Sequence, residues 1–159
     1  MVGPTVSFFR NSSHRLLLCA TPATIASGIY QNAFTMVRKN VPVVPIAGLA
    51  GAIEFAESEE KIENIIREAF KDVNLTDYDA LILACTHYPL AVQAFRSLLG
   101  DKIHFFDPAE AVAERVEKQF WPREAGDGKM RLCITADSPH FRAFAEQLFP
   151  EDDFTIERV

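Results

Sequence analysis

Cysteine is scarce and widely scattered in this sequence: Cys19, Cys85 and Cys133 are the only three in 159 residues. An odd number at such spacing supports neither a disulfide framework nor a Cys-x-x-Cys metal site, so each is read as a single thiol. Basic clusters are missing too. Lys and Arg number 16 against 22 Asp and Glu, for a net charge of −6, which counts against nucleic acid, whose backbone calls for grouped Lys and Arg. The longest apolar runs, Leu16 to Ala20 and Leu81 to Cys85, fall far short of the roughly 20 residues that span a bilayer, so no membrane partner is expected. The first ten residues lack the basic start, apolar core and small-residue cleavage site of a secretory signal, and the expected location is the cytoplasm. No internal repeat or low-complexity segment is present.

What is there has the make-up of one globular domain or two small ones, at 48% hydrophobic and 24% charged residues. Short β-rich apolar runs alternate with longer amphipathic stretches in about five βα units, the α/β pattern of a mostly parallel sheet with helices on both faces. The first strand is expected at Arg15 to Ala20, with Thr21 capping and Pro22 opening a helix that runs to about Lys39. Ile25, Ile29, Met36 and Val37 are its expected buried side. Val41 to Ile46 reads as an edge or irregular strand because of its two prolines. Ala47 to Gly51 reads as flexible, and Ile53 to Val73 as one helix, with Ile62, Ile65, Ile66 and Phe70 at helical spacing. Asp79 to Ala84 reads as a buried strand and Pro89 to Leu99 as a helix ended by Gly100. Lys102 to Phe106, Met130 to Thr135 and Phe154 to Val159 are further strands. Pro108 to Phe120 and Ser138 to Phe149 are further helices, and Pro122 to Lys129 is a surface loop.

In open α/β sheets, functional groups gather where strands end at their carboxyl edge. Cys85, Thr86 and His87 lie at such a turn, where a thiol near a helix start gains thiolate character and a neighbouring His can move a proton. The plain alternatives are a small buried hydrophobe for Cys85 and a satisfied structural imidazole for His87. Cys19 and Cys133 sit inside apolar strands without titratable neighbours and are expected to be core. A zinc site is not expected, because Cys85 and His87 make no tetrahedral set and His14, His104 and His140 lie in unrelated contexts. A nucleophilic enzyme is disfavoured, since no separate His and Asn or Asp pair can be pointed to.

Leu83-Ala84-Cys85-Thr86-His87-Tyr88-Pro89-Leu90 resembles the Gly-Cys-Thr-His-Tyr-Pro signature of glutamate racemases, with Ala84 in place of Gly. Ala20-Thr21-Pro22-Ala23-Thr24-Ile25-Ala26-Ser27-Gly28-Ile29-Tyr30 is similar to that family's Ala-Thr-x-x-Thr-x-x-Ser-x-x-Tyr turn. Phe106-Asp107-Pro108-Ala109-Glu110-Ala111-Val112-Ala113 resembles the start of its return to the first domain, and Thr135-Ala136-Asp137 with Phe141 its final strand and helix. Related aspartate racemases carry Thr-Glu after the cysteine, so Thr86-His87 favours glutamate.

The resemblance implies interconversion of L- and D-glutamate by thiol and thiolate proton transfer at the α-carbon, supplying cell-wall peptidoglycan precursors without pyridoxal phosphate, another cofactor or a metal. It makes Cys85 one of two catalytic thiols. By the same resemblance His87 assists its proton, Thr86 contacts substrate through hydroxyl or backbone, and Thr21 and Thr24 bind the carboxylate region. Free N–H groups at a helix start suit an anion, while the plain reading of Thr21 is an N-cap and of Thr24 a solvent-facing residue.

Two departures stand out. The family's early Asp-Ser turn and the Cys-Asn-Thr turn with the opposite thiol have no counterpart, and Cys19 belongs to the wrong strand to replace it. Gly48 stands where the family has a Glu, and Glu54 reaches that side only where the loop folds back. The implied layout is one complete racemase-type domain over 15–101 and an incomplete remnant of the other over 102–159, whose exposed apolar edge would invite self-association or a complementary amino-terminal chain. The isolated chain is expected to be inactive. The competing expectations are a non-catalytic or split-enzyme assembly module, and a single-thiol decarboxylase-like member of the same superfamily.

Overall fold

Leu16–Ala20 is buried at every position, and the elements on either side of it follow from that burial. The computed structural model describes residues 1–121, 129–136, 138–150 and 154–159. In chain order they form α1 (Val2–Phe9), β1 (Leu16–Ala20), α2 (Pro22–Ala26), α3 (Ile29–Met36), β2 (Val43–Pro45), α4 (Leu49–Glu54), α5 (Glu59–Phe70) and β3 (Ala80–Leu83). There follow α6 (Val92–Leu99), β4 (His104–Phe106), α7 (Pro108–Phe120), β5 (Met130–Ile134), α8 (Pro139–Leu148) and β6 (Phe154–Arg158), with 3-10 turns at Leu75–Asp77 and Tyr88–Ala91.

The chain divides into two compact units, Met1–Gln119 and Phe120–Val159. In the first, four strands lie in the order β2-β1-β3-β4, all parallel. A parallel sheet covered on both faces needs strands that are apolar throughout, and β1 and β3 meet that requirement. Leu17, Cys19, Leu81 and Leu83 face a cluster with Ile66 and Phe70 of α5 and Phe95 of α6. Leu16, Leu18, Ala80 and Ile82 face the opposite cluster, with Val6 and Phe9 of α1, Tyr30 and Phe34 of α3 and Phe106. Each fully buried Leu or Ile in these layers contributes on the order of 2 kcal/mol by leaving water.

β2 is an edge strand, as its prolines imply. Other expectations are corrected. The helix expected from Thr21 to Lys39 is two, because Gly28 takes a left-handed φ of 66° and starts α3 afresh. That rotation buries Tyr30 and Phe34 and leaves Ile29 51% and Met36 86% exposed. The helix expected over Ile53 to Val73 is also two, since Ala56 adopts φ 49° and the Glu57 N–H bonds back to the Ala52 carbonyl at 2.9 Å. The stretch 47–51, expected to be flexible, opens α4. The first ten residues carry α1, which the sequence reading did not assign.

β4, which follows Asp101, belongs to the first compact unit. Ala80, Leu81 and Ile82 of β3 pair with His104, Phe105 and Phe106, so β4 closes the first sheet. The second unit has its own parallel pair, β5 and β6, with Met130 opposite Phe154 and Ile134 opposite Arg158. Its apolar residues Met130, Leu132 and Ile134 are half-buried, while Arg131 and Cys133 point outward. Cys133 is therefore exposed rather than core. The loop expected at Pro122 to Lys129 lies, but for Lys129, outside the described residues.

The starts of β1 and β3 are clamped by one ion pair. Arg15 donates from its backbone N–H to Asp79 Oδ2 at 2.8 Å and from Nη2 to Oδ1 at 2.7 Å, and Asp79 N–H returns a bond to the Arg15 carbonyl at 2.8 Å. The Arg15 side-chain and backbone donors hold the Asp79 carboxyl down at about 2, below its ordinary 3.8. A depressed carboxyl stabilises the fold above its ordinary value and loses that contribution as pH falls toward the folded value. Acid unfolding followed by circular dichroism should therefore show Asp79→Asn losing less stability than the parent between about pH 4 and pH 2. At the other end of the sheet, Tyr88 is fully buried and donates its hydroxyl to the Ile46 carbonyl at 3.0 Å. Tyr88→Phe should cost about 1–2 kcal/mol in urea unfolding, because a buried carbonyl loses its donor.

Candidate functional site

β1 and β3 are neighbours whose connections leave in opposite directions. From β1 the chain passes through α2 and α3, whose Tyr30 and Phe34 join one core face, to β2. From β3 it passes through α6, whose Ala94 and Phe95 join the other face, to β4. The carboxyl ends of two such strands diverge into a crevice, the usual ligand site of open α/β sheets. Register places the two ends side by side: Cys19 is level with Leu83, and Ala84 N–H donates to the Cys19 carbonyl at 2.9 Å. Thr21 thus leaves β1, and Cys85 leaves β3, at the same edge.

Cys85 is half-buried, at the first bend after the strand. Its carbonyl accepts the Tyr88 N–H at 3.2 Å, which starts the 3-10 turn. The sequence reading expected an α-helix directly after this turn; the α-helical run begins only at Val92, because Pro89 sits in a 3-10 turn that precedes it. Cys19 lies behind, fully buried, with its thiol aimed at the Ile82 carbonyl at 3.6 Å. Burial, with the nearby Cys85 adding to it, pushes the Cys19 thiol far above the ordinary range and makes it inert. Burial first, and then Cys85 and Cys19, raise the Tyr88 phenol as well. Cys85 is therefore the thiol of the first unit that reaches the surface.

His87 is addressed on both ring nitrogens. The Thr86 hydroxyl is 3.4 Å from Nδ1, and Glu54 Oε2 is 3.7 Å from Nε2. The loop after β2 does fold back: α4 packs against the Tyr88–Ala91 turn and brings Glu54 to the imidazole. Gly48, at φ 77°, serves instead as the left-handed start of α4, and among the described residues no atom lies within 4 Å of where its side chain would begin.

Thr21 is the N-cap of α2. Its Oγ1 accepts the Thr24 N–H at 3.3 Å and lies 2.9 Å from the Thr24 hydroxyl, so the two threonines form one polar pair, each half-buried. Asp107 lies past the end of β4 at the same edge, its carboxylate engaged by the Ala109 N–H at 2.8 Å. The carboxyl edge of β1 and β3 thus carries one partly accessible thiol, an imidazole with a carboxylate near it, and a hydroxyl pair. Such a set can accept, hold and return a proton and can hydrogen-bond a small polar molecule. Among the described residues no group of three or more His, Cys, Asp or Glu could hold a metal ion, and no helix is long and apolar enough to cross a membrane.

The chain is similar to known proteins along nearly its whole length. Residues 1–116 match the family described as Asp/Glu/Hydantoin racemase. The glutamate racemase of Lysinibacillus sphaericus is 25% identical over 99% of this chain, and that of Cereibacter sphaeroides 36% identical over 77%. The crystal structure of glutamate racemase from Francisella tularensis in complex with D-glutamate superposes with a TM-score of 0.85 at 23% identity, over 99% of this chain. The chain spans 62% of the Lysinibacillus protein, 47% of the Cereibacter protein and 62% of the Francisella structure. A match that covers most of the first unit, from α1 into α7, places this chain in the Asp/Glu/Hydantoin racemase family.

Proposed function

We propose that this chain carries one half of a glutamate racemase site and that Cys85 exchanges the α-proton of glutamate on one face of the carbon. The observation that carries the reading is the position of Cys85, half-buried at the crevice between β1 and β3 in a chain of this family. In the forward step the Cys85 thiolate takes the α-proton and becomes a thiol, leaving a carbanion. An acid on the opposite face then gives its own proton to that carbon, which inverts it. Reversal exchanges the roles. Both groups must lie within hydrogen-bonding reach of the carbon.

His87 holds or returns the Cys85 proton, Thr86 contacts the substrate, and the Thr21 and Thr24 pair receives its carboxylate region. Thr21 then has two tasks, because its oxygen also caps α2. The chemistry in this reading needs no cofactor or metal. The product would serve peptidoglycan precursor supply in the cytoplasm.

A second reading is favoured by the 62% coverage of the relatives and by the exposed Phe120 and Trp121 of the second unit. In it the chain is an assembly module, and the opposite thiol comes from a complementary amino-terminal segment or a second copy. Cys19 is buried and Cys133 belongs to the second unit, so Cys85 is left as one reachable thiol at the first sheet. A decarboxylase-like member, protonating a carbanion from one face, needs no opposite thiol at all.

A coupled assay for D-glutamate formed from L-glutamate separates these readings. The 159-residue chain alone should give no signal. Mixing it with a separately made amino-terminal segment bearing a Cys-Asn-Thr turn should recover activity, which Cys85→Ser removes by at least about 100-fold and Cys133→Ser leaves intact. D-glutamate made by the isolated chain, or recovered activity indifferent to Cys85→Ser, contradicts the half-site reading. No recovery on mixing favours the non-catalytic module.

A further inference from the structure

We infer that the second unit holds a small-oxyanion site, in which Arg142 and Arg158 take a doubly charged group of the phosphate class at the carboxyl ends of β5 and β6. The inference goes beyond the half-site reading and does not depend on it, since every residue it uses lies in the unit Phe120–Val159.

β5 and β6 run parallel, and Ile134 is level with Arg158 where the two strands end. Along β6, Phe154 and Ile156 are half-buried while Thr155 and Glu157 are exposed. Phe154 meets Phe149, the residue that closes α8, with ring centroids 6.4 Å apart, so the Phe154 and Ile156 side is the one α8 covers. Strand alternation puts Arg158 on that same side. An apolar residue there would extend the layer, and a guanidinium ends it instead. Arg142 comes three residues before the buried Ala145, hence on the side of α8 turned to the sheet. The two arginines, exposed at the rim, line a cleft of about 220 Å³ together with Ile134 and Ile156.

Charge decides what such a cleft can hold. Among the described residues no carboxylate lines it, although the chain carries 22 Asp and Glu against 16 Lys and Arg. Glu157, next to Arg158, lies on the opposite side of β6 and pairs with Arg131 at 3.7 Å. α8 begins at this same end of the sheet, and the positive end of its dipole adds to the two cations. Two guanidinium forks suit a group with several oxygens and two negative charges, where a lone carboxylate would satisfy only one of them. Ile134 and Ile156 supply an apolar floor, which strengthens a charged hydrogen bond made above it. The volume lies below the roughly 300–1,000 Å³ of clefts for larger organic ligands, so the occupant is a phosphate or a short phosphate ester.

The test titrates the full 15N-labelled chain with inorganic phosphate at about pH 8 and fixed ionic strength, so that the ion is doubly charged and general screening is constant. The Nε–H resonances of Arg142 and Arg158 and the amides of Ile134 and Ile156 should shift saturably, with a Kd on the order of 1 mM. Arg142→Gln and Arg158→Gln should each weaken binding about 10-fold, and the Lys variants, which keep the charge and lose the fork, should fall between. Arg131→Gln, on the outward face, should leave the Kd unchanged. Acetate, with one charge, should bind at least about 10-fold more weakly than phosphate. Phenyl phosphate separates the sources: tighter binding than inorganic phosphate assigns the site to an ester whose body lies on the isoleucine floor, and equal binding assigns it to the free ion. Shifts that fail to saturate by about 50 mM phosphate, an unchanged Kd in the doubly substituted chain with its amide spectrum still dispersed, or acetate matching phosphate would each overturn the inference.

Discussion

The register between β1 and β3 governs everything else at this site. With Cys19 level with Leu83, the residues that follow each strand emerge side by side, and a slip of one residue would turn every side chain of one strand to the other face. Such a slip would drive Leu17 and Cys19 out of the layer they share with Phe70 and Phe95. Two-sided burial therefore sets the register, and the register sets which residues share the crevice. The Arg15–Asp79 clamp at the opposite end of the same two strands reinforces it from the surface.

Much of this arrangement was legible in the sequence, and the places where it was not have physical causes. β1 and β3 read correctly because strands buried on both faces leave unbroken apolar runs, and α7 because Pro108 opens it and an amphipathic stretch follows. Helix breaks were harder. Gly28 and Ala56 interrupt helices through left-handed backbone conformations that leave the apolar spacing on either side intact. α4 went unseen since Leu49-Ala50-Gly51-Ala52 carries little periodic contrast. Two misses had a usable signal: Val2, Val6 and Phe9 repeat at helical spacing in α1, and Arg131 alternating with Met130 and Leu132 marks Cys133 as outward.

At the site, the Cys-Thr-His turn was visible as residues and its surroundings were not. Glu54 approaches His87 only because α4 doubles back over the Tyr88–Ala91 turn, a long-range contact that no local pattern encodes. The Thr21–Thr24 hydroxyl pair forms where Thr21 caps α2, at the carboxyl end of β1. The family's chemistry needs a proton donor and acceptor on each face of one carbon. In the proposed half-site the first unit would supply one such face; the chain spans 47–62% of the length of these curated relatives.

The claim that the Cys85 edge is where a small amino acid sits is tested most directly by differential alkylation. The three thiols are reacted with iodoacetamide, with and without saturating D- or L-glutamate, and each cysteine is quantified by peptide mass. The account predicts that Cys133 reacts freely in every condition, that Cys19 stays unmodified in the folded chain, and that glutamate slows Cys85 alone. Identical Cys85 rates with and without glutamate, or protection appearing at Cys133 instead, would contradict it.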